Sequence, residues 1–347
     1  MKGAEMENNL IVSTSPHIRA TINTRKIMCH VIIALAPVTI YAVIINGLSA
    51  LWVLLASIAG ALLGEFVMQK GRRLPVTLSD CSALLTGLLL ALTLPPHLPW
   101  WIAGVAGAVA TILGKQMFGG IGHNLFNPAL VGRAVVFISW PAYFAAGYAK
   151  SAAIGFANTA THRSIESMVD VVNGASPLAA MKTVYEGAAK APQGLFGSSY
   201  YRPLLFANPW GCLGEVSALL LILGGLYLLA TRVIDWRIPV IYIGTVAALT
   251  ALIGRDPLFY TLAGGLIIGA IFMATDYTTS PLARRGKAIY AVGLGVVTWL
   301  LRGWSNNPEG VMFAILFMNA LVPLIDRYVL PSRYGKVKEE TEEAAAT

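Results

Sequence analysis

A chain of 347 residues that is 56% hydrophobic and 12% charged, with a mean hydropathy of +0.67, is too poor in charge for a soluble domain, where charged residues average about 25%. It reads as an all-α integral membrane protein. The net charge of +8 does not point to nucleic acid, because the basic residues are scattered between apolar runs and form no single patch. Cys29, Cys81 and Cys212 show no CxxC spacing, so they indicate neither a disulfide framework nor a zinc site and read as small buried hydrophobes.

Residues 1–26 are polar and form a cytoplasmic N-terminal segment. The first apolar run, Ile27–Ile45, has membrane length and no small-residue cleavage site, so it is expected to insert and stay. Nine further spans follow: Ser49–Met68, Cys81–Leu94, Trp100–Met117, Pro128–Tyr143, Gly214–Ala230, Ile238–Ile253, Leu258–Thr275, Ala288–Leu301 and Pro308–Ile325. Several are short, since about 14 helical residues reach only about 21 Å against a hydrocarbon core of about 30 Å. Such helices need neighbours or buried loops to complete them. The third begins at Ser79-Asp80-Cys81 and stops at Thr93-Leu94-Pro95-Pro96, where proline blocks continuation.

Outside the spans and the long central gap, sixteen Lys and Arg fall on one side, from Lys2 and Arg19 through Arg72, Arg232 and Arg284 to the tail, and only Arg255 and Arg302 on the other. The positive-inside rule then places both termini in the cytoplasm of a bacterial inner-membrane protein. Residues 145–212 face outward as a polar loop between a first five-helix repeat, 27–144, and a second, 213–326; residues 327–347 are a charged cytoplasmic tail. The halves echo each other. Gly119-Gly-Ile-Gly-His-Asn-Leu-Phe-Asn127-Pro128 opens the fifth span and Arg302-Gly-Trp-Ser-Asn-Asn307-Pro308 opens the tenth, and Asn before a first-turn Pro is a good helix start by itself. An odd number of crossings reverses the second half, giving the inverted repeat common in machines that move solutes or charge.

Intramembrane carboxylates are costly enough to need a reason. Glu65, Asp80 and Asp276, at cytoplasmic ends, and Glu215, at an outer end, are therefore candidates for an ion path. Glu65 also has a bland reading, as a snorkelling side chain or a partner of Lys70. Lys115 and Arg133 need partners if buried, such as a carboxylate, an anionic phosphate group or a lipid headgroup. His123 and Asn124 read as braces of a helix end. In the outer loop stands Asp170-Val-Val-Asn-Gly174-Ala-Ser176-Pro177. Gly174 lets the backbone bend closely, and Pro177 biases Ser176 towards an extended conformation that presents its hydroxyl. The same residues also describe an ordinary surface turn. Asp170 is open between recruiting a metal or a modifying enzyme and simple solvation.

Ser79-Asp-Cys-Ser-Ala-Leu-Leu-Thr-Gly, Gly119 to Ala129, Gly211-Cys-Leu-Gly-Glu-Val-Ser217 and Met273-Ala-Thr-Asp-Tyr-Thr-Thr-Ser-Pro281 resemble the D subunit of the Rnf electron-transport complex and its sister, the B subunit of the sodium-pumping NADH:quinone reductase. The resemblance runs from Arg25 to about Tyr328. It implies a subunit of a machine that passes electrons between ferredoxin and NAD and couples them to Na+ or H+ movement, with NAD and ferredoxin bound by other subunits. Family members carry FMN joined through its phosphate to a Thr in a Ser/Thr-Gly-Ala-Thr motif; the matching segment is Asn173-Gly174-Ala175-Ser176, with Ser at the Thr position. The implied partners are the other Rnf subunits, of C, G, A, E and B type, a flavin transferase and membrane lipid. A second, non-covalent flavin such as riboflavin is given no place by the residues. From the bundle alone, a stand-alone channel or carrier and a non-catalytic scaffold remain alternatives.

Overall fold

The computed structural model describes residues 23–148, 178, 201, 204–206, 211–304 and 310–329, so Asp170, Gly174, Ser176 and Pro177 lie outside the described residues. No strand occurs among those described. The first element, α1 (Thr24–Gly71), has 48 residues and a break at Gly47, whose φ of 68° and ψ of −153° are not helical. Unbroken, it would run about 72 Å at 1.5 Å per residue, more than twice a hydrocarbon core. Gly47 divides it into two helical lengths, with the break falling between the first two apolar runs of the sequence. Its large exposed side chains include Ile33, Ile40, Ile44, Leu48, Trp52 and Leu63, whereas Ser57, Glu65 and Gln69 are buried. Apolar outside and polar inside is the pattern of a chain dissolved in lipid.

After a 3₁₀ turn, Leu78–Asp80, come α2 (Ser82–Leu92), α3 (Trp100–Gly114), α4 (Pro128–Ser139) and α5 (Pro141–Tyr148). The last two form one broken element bent by 98°. The apolar run through Tyr143 predicts a straight span; Pro141 overturns it, because it lacks an N–H and pushes Trp140 (φ −132°, ψ 57°) out of the helical region. In the second half, α6 (Ala218–Ala230), α7 (Arg237–Leu252), α8 (Pro257–Leu262), α9 (Leu266–Ile268), α10 (Arg284–Trp304) and α11 (Val311–Tyr328) follow. The single predicted span Leu258–Thr275 is in fact broken. Ala263 is extended, Gly264 and Gly265 have φ of 72° and 67°, and a π-helical turn, Gly269–Met273, follows α9. Two consecutive residues at positive φ suit glycine and end a right-handed helix.

Among the described residues, three helices are long and apolar enough to cross a membrane by length and composition, Thr24–Gly71, Trp100–Phe118 and Val311–Tyr328, with the bent α4–α5 pair a fourth. Shorter apolar helices, α2, α6 and α7, complete the bundle. One hydrophobic core joins the halves, with Leu35, Leu92, Leu94, Leu213, Tyr242, Leu266, Tyr290 and Ile315 all fully buried. Close backbone approach holds α1 on α3: a Cβ on Gly60 would stand 2.0 Å from the carbonyl oxygen of Gly104, and one on Gly107 2.1 Å from that of Ser57. In the second half, α7 and α10 are joined by the buried hydroxyls of Tyr242 and Thr298, 2.6 Å apart.

Candidate functional site

Polar residues that the lipid would reject gather at two poles of the bundle. At one pole, Glu65 on α1 is fully buried and accepts two hydrogen bonds from Lys115 Nζ, at 2.8 and 2.9 Å. Lys115 is 3% exposed and also donates to Ser82 Oγ. Gln69 and Gln116 each donate to Glu65 Oε1 at 3.0 Å, so the carboxylate is fully partnered, which a buried ion pair needs in order to offset desolvation. Glu65 thus neither snorkels nor pairs with Lys70, whose ammonium lies over the Phe66 ring. Asp80 Oδ1 accepts from the Ser82 N–H at 2.8 Å and the Ser82 hydroxyl at 2.6 Å, which caps the start of α2 and extends the chain Asp80–Ser82–Lys115–Glu65.

This network opens on a cavity of about 800 Å³, the open solvent at its mouth included. Its walls come from both halves: Ile27, Met28, Ser82, Thr86, Lys115, Asn124 and Asn127 from the first, and Thr275, Asp276 and Thr278 from the second. Asp276 is held by the Thr278 and Thr279 hydroxyls at 3.1 and 3.4 Å. Asn127 does two jobs. Its Oδ1 accepts from the Ala129 and Leu130 N–H groups, capping α4, while Nδ2 donates to the Met273 carbonyl across the cavity floor. Asn319 closes the ring: Tyr290 hydroxyl lies 2.8 Å from its amide, whose satisfied orientation donates to the Thr279 carbonyl and accepts from the Asn127 N–H at 3.1 Å. Asn124 braces the halves as well, donating to Thr278 Oγ1 at 2.8 Å. Of the four candidate carboxylates, Asp276 lines this cavity, and Glu65 and Asp80 are linked to its wall through Lys115 and Ser82. Asn319 carried no sequence signal beyond being a polar residue in an apolar run, and Ser82 appeared in the sequence only as part of the Ser79–Gly87 motif, with no role assigned.

Glu215 stands apart, at the opposite pole. It is 8% exposed in a buried turn, 211–217, whose Leu213 N–H donates to the Leu94 carbonyl at 3.0 Å. Its carboxylate lies against Gly265, where a Cβ would come within 3.2 Å of Oε1. The break at Ala263–Gly265 strands carbonyls that have no water to turn to, and Arg302, 2% exposed, donates to Tyr260, Ala263 and Gly264 oxygens, as buried non-helical backbone requires. Leu178 packs into the same place with Phe259, Tyr260 and Ala263, and touches Gly264 so closely that a Cβ there would lie 1.9 Å from Leu178 Cδ1. A second cavity adjoins Tyr260, lined by Arg255, Trp299 and Trp304. Arg133 Nη2 reaches Tyr148 hydroxyl and Cys212 Sγ, at 3.5 and 3.6 Å. Cys212 is buried as expected, but Cys29 and Cys81 are only half-buried. Among the described residues no group of three or more His, Cys, Asp or Glu is placed to hold a metal.

Comparison with known proteins shows what kind of molecule carries these poles. Residues 11–335 match the NQR2, RnfD, RnfE family. The chain belongs to that family. It is 40% identical to the D subunit of the Na(+)-translocating ferredoxin:NAD(+) oxidoreductase complex of Acetobacterium woodii over 338 residues, 97% of this chain and 99% of the relative. It is 39% identical to the D subunit of the proton-translocating ferredoxin:NAD(+) oxidoreductase complex of Clostridium ljungdahlii over 344 residues, 96% and 99% of the two chains. With the D subunit of the ion-translocating oxidoreductase complex of Stutzerimonas stutzeri it shares 41% over 341 residues, 92% and 94%. Within the NQR2, RnfD, RnfE family, the match covers both poles and every element that builds them.

Proposed function

We propose that this chain is the D-type membrane subunit of an ion-translocating ferredoxin:NAD oxidoreductase complex, working beside the other subunits of that complex, and that it relays electrons through FMN carried on Ser176. Near-full-length similarity to subunits of that name carries the reading. Ten crossings in two inverted five-helix repeats fit the described helices. Asp80 caps the start of α2 at one pole, and at the other Asp256 caps α8, accepting from the Leu258 and Phe259 N–H groups. Lys115 ends α3 and serves the start of α2; Arg302 lies at the end of α10 and serves the break after α8. On this pairing the counterpart of Asp80 is Asp256, and Asp276 has a separate place.

The surroundings of the outer loop's anchor fit a flavin phosphoester. Leu178, two residues after Ser176 in sequence, is buried in the bundle at 1% exposure. Beside that anchor, Arg255 offers a cation and Tyr260, Trp299 and Trp304 offer aromatic walls, chemistry that suits an anionic group bearing a flat ring. A flavin held there supplies electron carriage that no amino-acid side chain here can. The chain's own part is to present the Ser176 hydroxyl, with Gly174 and Pro177 shaping the backbone, and to keep the bundle shut to water between the poles. Asp276, with Glu65 and Asp80 linked to the same cavity, forms the inner mouth of a cation path, and Glu215 stands at its outer end. Relatives named for Na+ and for protons are about equally similar, 40% and 39%, so similarity does not select the ion.

Ser176→Ala should abolish covalent flavin fluorescence of the subunit in a denaturing gel, whereas Ser176→Thr should keep it, because Thr retains the oxygen that forms the ester. A fluorescent Ser176→Ala subunit would place the attachment elsewhere.

A further inference from the structure

The break after α8 has the parts of a cation site, and a side chain of the protein itself fills it. The carbonyl oxygens of Tyr260, in the last turn of α8, and of Ala263 and Gly264 converge on the Arg302 guanidinium, which donates to all three, at 3.1 Å to Ala263 and 3.2 Å to Gly264. They stand at the end of a helix, where carbonyls lack helical partners and the dipole is negative. Where helices break inside a membrane, such carbonyls are suited to coordinate a translocated cation. Here Arg302, 2% exposed in the last turn of α10, occupies them. The next residue, Gly265, lies against the Glu215 carboxylate. From Gly265 the chain continues through α9 and the π-helical turn to Thr275 and Asp276 in the wall of the large cavity. One broken element thus connects the guanidinium-filled break, with Glu215 beside it, to the carboxylate at the opposite pole.

We infer that Arg302 is a tethered cation that plugs the path between Glu215 and Asp276 against passive ion flow. The inference rests on the reading of those two carboxylates as ends of a cation path. Two effects close the site. The three carbonyls that would replace a cation's hydration water are taken up by N–H donors, and a fixed positive charge in a water-poor site repels a mobile one at short range. Arginine suits the task because its guanidinium stays protonated and its planar fork reaches several acceptors at once. A merely structural role needs only the N–H donors, whereas a plug needs the charge as well.

The test uses the complete complex in sealed vesicles, without ferredoxin or NAD, and follows radioactive sodium efflux and internal pH. Arg302→Gln retains N–H donors for the carbonyls but no charge, and should leak cations at least about tenfold faster than wild type. Millimolar guanidinium should suppress that leak by refilling the site; tetramethylammonium, a cation without N–H donors, should not. Arg302→Lys keeps the charge and should stay as tight as wild type. A tight Arg302→Gln complex overturns the plug, as does a leak that guanidinium leaves unchanged or an equal leak from both variants, which would report a loosened bundle. Failure of Arg302→Gln to assemble would also overturn it, since the guanidinium would then serve to hold the break together. Redox-driven cation uptake by the Glu215→Gln complex separates the plug from the path itself. Normal uptake there removes the path, whereas lost uptake beside a tight Arg302→Gln removes only the plug.

Discussion

Lys115 decides whether Glu65 can exist where it does. Removing one partner of a buried ion pair strands the other charge, at a cost of about 3–5 kcal/mol, whereas replacing both costs far less. Lys115→Met should therefore lower the unfolding temperature of the complex sharply, and Glu65→Gln combined with Lys115→Met should recover most of the loss; additive losses would mean the pair is not coupled. Asp235, in the turn between α6 and α7, tests electrostatics outside the membrane. Burial alone would raise its pKa, but the Arg237 N–H, the Lys287 ammonium at 3.1 Å and the Arg237 guanidinium at 3.3 Å outweigh burial and hold it below the ordinary carboxylate value. A lowered folded-state pKa means stability that is present above the ordinary value, about pH 4, and lost as pH falls through the folded one. The stability gap between wild type and Asp235→Asn should be constant from about pH 7 to about pH 5 and close below about pH 4. A gap that widens on acidification would contradict this.

At the scale of elements, the close approach of α1 and α3 depends on side chains that are missing. Gly107→Ala would place a methyl 2.1 Å from the Ser57 carbonyl oxygen, so the helices must part, at an overpacking cost of about 1–3 kcal/mol readable as earlier thermal unfolding. A neutral Gly107→Ala would show that the contact yields. The all-helical, apolar character was legible in the sequence, helix lengths less so, and Asn127-Pro128 read as a helix start for a local reason the structure repeats. The break at Gly264–Gly265 was not legible, since glycine in an apolar run is ordinary until Arg302 arrives to satisfy the carbonyls of Ala263 and Gly264, 39 and 38 residues away in sequence. The bend at Trp140 had its signal in Pro141, which hydropathy alone overrides. Glu65 and Lys115 were each noticed as costly; their pairing depends on how α1 and α3 cross, which no short motif encodes.

For the whole molecule, the proposed even number of crossings and the basic bias predict both termini on the cytoplasmic side. In a background without native cysteines, a cysteine near Asn158 should react with an impermeant thiol reagent from the periplasm, and one near Gly286 should not. The reversed pattern would move the flavin to the opposite face. The most direct test of the central reading is redox-driven cation uptake by membrane vesicles bearing the Ser176→Ala complex, measured beside its ferredoxin-to-NAD electron transfer. A loop Ser→Ala change typically alters stability by no more than about 0.5 kcal/mol, so the complex should assemble, yet both activities should be lost. Normal coupled turnover from an assembled complex whose D-type chain carries no flavin would contradict the relay.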